Sequence, residues 1–353
     1  MEFYKCLNKN ILITGGAGFI GSNFIHYYLK RNSQDKLFVI DKLSYSGNIN
    51  NISSLIKEKK ITFFKEDICN ESEIEKILSR NKISHIIHFA AESHVDRSIN
   101  KPDDFIKTNI QGTFVLLKSF QKEWAKKKNK NWRFIHISTD EVFGSLEINQ
   151  PSFEETTPYN PRSPYSASKA ASDHMVSSWF HTFGLPTIVS NCSNNYGPYQ
   201  FPEKLIPLTI KNIIKGELIP VYGNGQNIRD WIYVDDHCEA IDKVLNKGEV
   251  GGKYCIGGDC EVKNIDLVKN ICDLVDSLAI ELNISIPISP SRKLINFVED
   301  RKGHDLRYSI NNSHIEKQLL WKPKISLSSG LTKTIRWYLE NINFLESNRK
   351  NYQ

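Results

Sequence analysis

Two short stretches carry the side chains best suited to chemistry. Ser138-Thr139-Asp140-Glu141-Val142-Phe143-Gly144 ends an apolar run in two adjacent carboxylates, and Tyr165-Ser166-Ala167-Ser168-Lys169 follows downstream. Tyr165 and Lys169 stand four residues apart, so on a helix beginning near Ser163-Pro164 they share a face and act on one ligand. To serve as a base, a phenol with a reference pKa of about 10 must lose its proton near pH 7, a shift worth roughly 4 kcal/mol. A neighbouring cation such as the Lys169 ammonium supplies part of it. An acid and a base side by side at Asp140-Glu141 suit elimination of water, so the two stretches together point to redox and elimination chemistry. A Tyr-x-x-x-Lys spacing also recurs by chance on solvent-facing helices, and the elements that position it must carry the argument.

Those elements begin at the start of the chain. Ile11-Leu12-Ile13-Thr14 runs straight into Gly15-Gly16-Ala17-Gly18-Phe19-Ile20-Gly21, and a helical pattern follows from Ser22 to Lys30. This is strand, glycine turn, helix. Gly15 permits the tight turn, Gly18 lets backbone N–H groups approach a pyrophosphate, and Gly21 allows close helix–strand packing with the helix N-terminus facing the anion. A second apolar run, Leu37 to Ile40, ends at Asp41, where a carboxylate binds ribose hydroxyls. Asp41 repels a 2′-phosphate, which favours NAD over NADP, while Lys42 and the basic residues beyond it oppose that preference. A cationic nicotinamide then joins Lys169 in stabilising a tyrosinate, and the carbinol hydrogen of a bound alcohol leaves as hydride.

Further strands are expected at Ile61 to Phe64 before Asp67-Ile68, at His85 to Ala91, at Arg133 to Thr139 and at Leu185 to Ser190, with polar amphipathic segments between them. The alternation implies an α/β fold with a Rossmann-like, doubly wound parallel sheet. Ligands gather at the carboxyl ends of such strands, which places Gly15, Asp41, Asp67, Ala90 and Thr139 on one rim. After Asn194 the βαβ regularity gives way to turn signals such as Gly197-Pro198 and Gly223-Asn224-Gly225, as expected of a smaller, interleaved C-terminal substrate lobe. The expected division is a cofactor domain over 8–193 with returning segments at about 230–256, a substrate lobe over 194–229 and 257–344, and a frayed tail over 345–353.

Composition sets limits. At 353 residues, 40% hydrophobic and 24% charged, the chain exceeds one average domain and buries a substantial core. No apolar run approaches the roughly 18 residues of a membrane span, and the first ten residues lack the apolar centre of a secretion signal, so a cytoplasmic protein without a membrane partner is expected. Seven scattered cysteines include no Cys-x-x-Cys pair and no metal-like cluster, so no metal is expected. The net charge of +6 suits an anionic ligand, but lysine runs such as Lys126 to Lys130 read as solvated loop rather than a nucleic-acid patch.

GGAGFIGS from Gly15, the Tyr165/Lys169 pair and HFAAESHVDRS from His88 resemble the extended short-chain dehydrogenase/reductase superfamily. Within it the chain most resembles the dTDP-glucose 4,6-dehydratase family, through DKLSYSGN from Asp41, STDEVFG from Ser138, SPYSASKA from Ser163, NNYGPYQFPEKLIP from Asn194, RDWIYVDDH from Arg229 and DRKGHDLRY from Asp300. The resemblance runs from Ile11 to about Tyr338. Two positions depart from it, Phe143 where the family usually has tyrosine and Lys302 where it usually has proline.

The resemblance implies oxidation of the glucose C4 hydroxyl by NAD, loss of water across C5 and C6, and return of the hydride to C6. It assigns Glu141 to the C5 proton, Asp140 to the departing C6 hydroxyl, Thr139 to a hydrogen bond with the C4 oxygen, and Tyr165 and Lys169 to the oxidation. Cofactor contacts are implied at Gly15, Gly18, Phe19, Ile20, Gly21, Asp41, Lys42, Ser44, Asp67, Ile68, Ala90, Ala91, Ser93, Asn109, Ser138, Tyr165, Lys169 and Asn195. For dTDP-glucose they are implied at Ser93, Thr139, Asn194, Lys204, Leu205, Pro220, Tyr222, Arg229, Asn264, Arg301 and His304. Surface ion pairing is the competing account of Arg229 and Arg301, core packing that of Leu205 and Tyr222, and capping that of Glu92, Ser93 and His94. The resemblance also implies a homodimer built from two helices per subunit, one carrying Tyr165 and Lys169. Rival functions on the same fold are a UDP-sugar dehydratase, a sugar-nucleotide 4-epimerase, and a non-catalytic NAD-binding sensor or scaffold. Epimerases use Tyr and Lys without needing Asp140-Glu141.

Overall fold

The computed structural model describes residues 8–346. Its strands, in chain order, are β1 (Asn10–Thr14), β2 (Lys36–Asp41), β3 (Ile61–Lys65), β4 (His85–His88), β5 (Arg133–Thr139), β6 (Thr187–Cys192), β7 (Asn194–Tyr196), β8 (Ile219–Tyr222), β9 (Ile228–Tyr233), β10 (Lys253–Ile256), β11 (Glu261–Lys263) and β12 (Ile295–Val298). Seven form one sheet in the order β10-β6-β5-β4-β1-β2-β3, with parallel pairing from β3 through β5. The chain builds outward from β1 to β3 and then returns to β4 on the other side of β1, so the strand order reverses there. This is a Rossmann-like, mostly parallel sheet with flanking helices.

The chain divides into two compact units. The first comprises the residues through Ser138, Pro164–Ser190 and Ile241–Tyr254, and holds the seven-stranded sheet apart from the last residues of β5, β6 and β10. Its strands are near-continuous apolar runs because a parallel sheet is covered on both faces. Ile11, Leu12 and Ile13 are completely buried. The Thr113–Ala125 helix turns Thr113, Leu116, Leu117 and Phe120 inward at helical spacing, and the two leucines and Phe120 join Leu12, Phe38, Ile86 and Phe134 in one core.

The second unit comprises Thr139–Ser163, Asn191–Ala240 and the residues from Cys255 onward. It contains the β11-β9-β7 sheet and the β12-β8 pair. Its core collects Ile206, Ile210 and Ile213 from the Leu205–Lys215 helix, Leu267, Val268, Ile271 and Val275 from Asn264–Glu281, and Leu331, Ile335 and Tyr338 from Leu327–Glu340.

Several boundaries differ from those read in the sequence, each for a local reason. β4 stops at His88 instead of Ala91: the Ala90 N–H turns to the Thr14 hydroxyl instead of a strand carbonyl, and beyond it the Asn109 amide holds the backbone N–H and C=O of Glu92. β6 begins at Thr187 instead of Leu185, because Pro186 has no N–H to donate and the Leu185 N–H turns back to the Trp179 carbonyl. The first helix starts at Phe19, three residues before Ser22, its first turn closed by the Ser22 N–H on Gly18 O. The contact grouping divides the chain at Ser190/Asn191 and assigns Thr139–Ser163 to the second unit, where the sequence reading runs one domain through 193. The segment that returns to the first unit is Ile241–Tyr254, shorter than 230–256. Within the expected frayed tail, Leu345 is buried in the short helix Ile342–Glu346, and residues 347–353 lie outside the described residues.

Four histidines are sealed into these cores. Burial holds His85 and His237 down to about 3 and His136 down to about 4, and it holds His88 well below the ordinary value. Each depressed value costs stability as pH falls from about 6.5 toward the folded-state value, because only the unfolded chain takes up the proton there. Buried carboxylates such as Asp230, raised to about 6, act in the opposite direction over an overlapping range. The histidines are therefore best read directly: in a histidine-selective NMR titration all four rings stay neutral at pH 5.5. Protonation of any of them at that pH in the folded protein would contradict their burial.

Candidate active site

In the first unit β1 feeds the glycine turn. Gly15 has φ +68°, and a Cβ there would lie 2.7 Å from the Ala90 backbone nitrogen, so both conformation and space demand glycine. A Cβ on Gly21 would lie 2.4 Å from Gly15 O. Gly18 caps the Phe19–Leu29 helix without a side-chain bond, and a Cβ there would meet only Gly15 O, at 3.2 Å. The space ahead of the helix N-terminus at Phe19 and Ile20 is thus open to an anion, which the helix dipole favours.

Asp41, at the end of β2, fastens this turn. Its Oδ2 accepts the Ala17 N–H at 2.9 Å and its Oδ1 the Leu43 N–H at 2.8 Å. Each oxygen keeps a lone pair for a ribose hydroxyl. Lys42 is engaged with Thr108 Oγ1 at 2.9 Å and Glu92 at 3.3 Å. Ser44 follows, half-buried. Asp67 Oδ1 accepts the Cys69 N–H at 2.9 Å, and Ile68 packs beneath Gly112. The Ala90 N–H donates to Thr14 Oγ1 at 3.3 Å, and Ala91 and Ser93 lie half-buried along the same loop. Asn109, in a π-helical turn over Ile106–Gly112, joins that loop to the catalytic helix by donating to Ser168 Oγ at 2.8 Å. The glycine turn, Asp41 and this loop fit a dinucleotide.

The helix Pro164–Phe183 opens with proline at its first position, where no N–H is missed. Tyr165 is 8% exposed and packs edge-on against Phe105. Lys169 is 3% exposed and donates to Ile137 O at 2.8 Å. Ser138 donates to Asp173 on the same helix at 2.9 Å.

The second unit holds the other candidates. Thr139 Oγ1 accepts the Glu141 N–H at 3.3 Å, which caps the short turn Asp140–Phe143, and donates to Asp140 Oδ1 at 3.2 Å. Arg229 is 7% exposed, donates to Ile228 O and Asp305 O at 2.8 and 2.9 Å, and lies over the Tyr308 ring at 4.3 Å. Arg301 lies 5.0 Å from the Tyr222 ring, whose edge meets His304. Lys204 and Leu205 open one helix, Asn264 opens another, and Pro220 lies within β8. The side-chain oxygens of Asn194 and Asn264 are buried without hydrogen-bond partners among the described residues. Asn195, expected among the cofactor contacts, belongs to this unit, where its amide serves Cys192, Ser193 and His237.

A family model described as GDP-mannose 4,6 dehydratase matches residues 12–334. The dTDP-glucose 4,6-dehydratase of Salmonella typhimurium strain LT2 is 49% identical over 349 residues, covering 96% of this chain and 94% of that protein. This chain belongs to the dTDP-glucose 4,6-dehydratase family. Two solved members share its fold. The Bacillus anthracis enzyme in complex with NAD superposes with a TM-score of 0.84 at 41% identity, covering 97% of this chain and all of that one. The Streptomyces venezuelae enzyme, also with NAD bound, gives 0.85 at 40% identity over 96% of this chain and all of that one.

For a dehydratase the decisive electrostatic fact is how differently its two carboxylates are treated. Asp140 is 2% exposed, and its Oδ2 has no hydrogen-bond partner among the described residues. Burial first, then the charges of Glu141 and Asp230, push its pKa well above the ordinary value against the pull of Arg229, and so favour the protonated form. Burial also raises Glu141, but Lys204, Arg229 and Arg301 pull it back toward the anion. Both carboxyls are raised, Asp140 the more strongly, and such an inequality between neighbours is the arrangement that separates acid and base roles.

His136, Asp173, Asp305 and Tyr308 were not among the expected site residues, and the structure brings all four against expected ones. The available signals were a histidine inside an otherwise apolar strand, and Asp173 four residues beyond Lys169 on the face that carries Tyr165. Asp305 and Tyr308 lie within DRKGHDLRY, the segment that also supplies Arg301 and His304, and that membership was the available signal for them.

The raised pKa of Asp140 has a stability consequence. A carboxyl whose folded value lies above its unfolded value contributes stability at low pH that is lost as pH rises through the folded value. At pH 7 wild-type Asp140 therefore costs stability. Asp140→Asn is expected to raise the thermal midpoint at pH 7 by about 2–4 °C while cutting turnover by roughly 10²- to 10⁴-fold. Calorimetry beside steady-state assays checks this, and a lowered midpoint with normal turnover would refute the acid assignment.

Proposed function

We propose that this chain is an NAD-dependent hydro-lyase that converts dTDP-glucose to dTDP-4-keto-6-deoxyglucose and water, in the cytoplasm and as a homodimer. The observation that carries the chemistry is the unequal surroundings of Asp140 and Glu141 immediately after Thr139: burial raises both, and like charges push Asp140 further while Lys204 and Arg229 offset part of the rise at Glu141. An epimerase has no use for that pair. The similarity to curated dTDP-glucose 4,6-dehydratases supports the substrate.

NAD, held by the glycine turn and Asp41, supplies a hydride acceptor that also gives the hydride back. Tyr165 takes the proton of the C4 hydroxyl, with Lys169 as the neighbouring cation, and Thr139 hydrogen-bonds the C4 oxygen. The new ketone acidifies C5–H, and Glu141 removes that proton as the C5=C6 bond forms. Asp140 gives its proton to the C6 hydroxyl, which leaves as water. Glu141 returns its proton to C5 when the hydride arrives at C6. Tyr165 has then gained one proton and Asp140 lost one, and exchange with solvent resets both. Arg229 and Arg301 supply guanidinium groups suited to a diphosphate, and Asn194, Lys204, Tyr222, Asn264 and His304 complete the nucleotide contacts.

The homodimer reading rests on apolar side chains left in solvent on two helices of the first unit, Phe114 at 40% and Phe183 at 47% exposure, in a ring cluster with Trp179. The cytoplasmic reading rests on the compartment of the nucleotide sugar and the cofactor. Among the described residues no helix is long and apolar enough to cross a membrane.

Incubation with dTDP-glucose deuterated at C4, followed by mass spectrometry and NMR, tests the reaction. Loss of water with deuterium at C6 is expected. Tyr165→Phe is expected to block even the first oxidation, whereas Glu141→Gln still reduces the cofactor once per site and then stalls. An unchanged mass with a galactose configuration would replace the reading with epimerisation.

A further inference from the structure

Between the strands and the catalytic helix lies a row of buried polar groups that the reaction above does not use. Thr14, His88 and His136 are register partners across β1, β4 and β5. His88 is bonded on both ring nitrogens, Nδ1 to Thr14 at 2.7 Å and Nε2 to Thr113 at 2.9 Å. His136 is different. Its Nε2 faces two groups at once, Lys169 Nζ at 3.3 Å and Asp173 Oδ1 at 3.2 Å, while its Nδ1 is buried without a hydrogen-bond partner among the described residues. His136 and Asp173 are each 1% exposed and Lys169 3%.

One in-plane nitrogen carries either a proton or a lone pair, so His136 cannot donate to Asp173 and accept from Lys169 together. With the proton on Nε2 the ring turns its N–H toward Asp173 Oδ1, a charge contact, while Asp173 Oδ2 accepts a hydrogen bond from Ser138 at 2.9 Å. The His136 ring, the Lys169 charge and the Ser138 hydroxyl hold Asp173 below the ordinary carboxylate value despite its burial. An ammonium buried this deeply costs several kcal/mol unless a counter-charge lies close.

We propose that His136 and Asp173 are positioning residues for Lys169: the Asp173 carboxylate, oriented by Ser138 and by the His136 ring, supplies the buried counter-charge that keeps the ammonium against the Ile137 carbonyl. The proposal rests on the dehydratase reading, in which Lys169 serves Tyr165. The groups facing the cluster are His88 from β4, His136 from β5, and Tyr165, Lys169 and Asp173 from the helix itself. β1 and the Thr113–Ala125 helix contribute the hydroxyls of Thr14 and Thr113, the π-helical turn contributes the Asn109 amide, and the two short helices before it turn Ser98 and Phe105 inward.

The sign of a pH shift decides it. Taken alone, removing a negative charge near Tyr165 favours its anion and moves the acid limit of the first oxidation to lower pH. If Asp173 instead holds Lys169 in place, Asp173→Asn frees the ammonium, Tyr165 loses its cation, and the acid limit moves up by about one pH unit, a tenfold change in proton affinity. His136→Phe is expected to behave likewise, and His136→Gln, which keeps an N–H for Asp173, to recover most of the wild-type profile. The measurement is single-turnover reduction of bound NAD by dTDP-glucose across pH, on holoenzyme whose thermal midpoint and NAD affinity are checked alongside. Should His136→Phe fail to fold, Asp173→Asn alone carries the test. A downward or absent shift in folded, NAD-bound variants overturns the positioning role. A wild type that reduces no NAD overturns the dehydratase reading itself, and the proposal with it.

Discussion

Asp173 is the point at which the catalytic helix is tied to the sheet. Strand geometry puts every second side chain on one face, so His136 and Ser138 project together from β5, and one carboxylate meets both at 3.2 and 2.9 Å. Helix geometry puts every fourth side chain on one face, so Tyr165, Lys169 and Asp173 form a single stripe. The contact therefore fixes the rotation and the height of the helix against the strand in one step. A helix turned by a single residue, about 100°, would lose the Ser138 hydrogen bond and the His136 contact together and leave a buried carboxylate bare. The position of Lys169 follows from that constraint as well as from its own contacts with Ile137 and His136.

Asp41 performs the matching task for the glycine turn. Its two oxygens hold the backbone at Ala17 and Leu43, so the carboxylate braces the loop. Bracing the turn and binding a ribose are compatible tasks, because a carboxylate has more lone pairs than the two bonds consume. The same economy appears at Asn109, whose amide holds the backbone at Glu92 and also reaches Ser168.

Most of the fold was legible where a residue's own backbone or periodicity carried the signal. The glycine turn announced β1 and its helix, and apolar runs announced β2, β3 and β5, the last to the residue. What escaped were features decided at a distance. The end of β4 depends on the Thr14 hydroxyl and the loop beyond it on an amide 17 residues from Glu92, and the π-helical turn that presents Asn109 has no pattern of its own. Grouping Thr139–Ser163 with the second unit reflects bonds such as Leu146 to Arg307 and Phe153 to Ser309, which no local reading anticipates. The nine positions expected around the sugar nucleotide beyond Ser93 and Thr139 fall in one unit, while Asp305 and Tyr308, which lie in the quoted DRKGHDLRY segment and shape Arg229, had no legible role because it exists only once that guanidinium is stacked and bonded.

The adjacency of Asp140 and Glu141 shows why sequence spacing identifies a pair of carboxylates but not their roles. Neighbours in the chain share composition, and nothing in Thr139-Asp140-Glu141-Val142 says which one keeps its proton. Burial raises both. The difference lies in what each meets afterwards: Asp140 has the like charges of Glu141 and Asp230, while Glu141 has Lys204, Arg229 and Arg301. Those cations stand 60 residues or more along the chain and are the groups suited to the substrate's diphosphate. A cation shared with a bound phosphate stabilises a neighbouring carboxylate less, and a carboxylate less stabilised by cations is a stronger base. In the proposed reaction, occupancy of the nucleotide site and the basicity of Glu141 are therefore linked through the same three side chains.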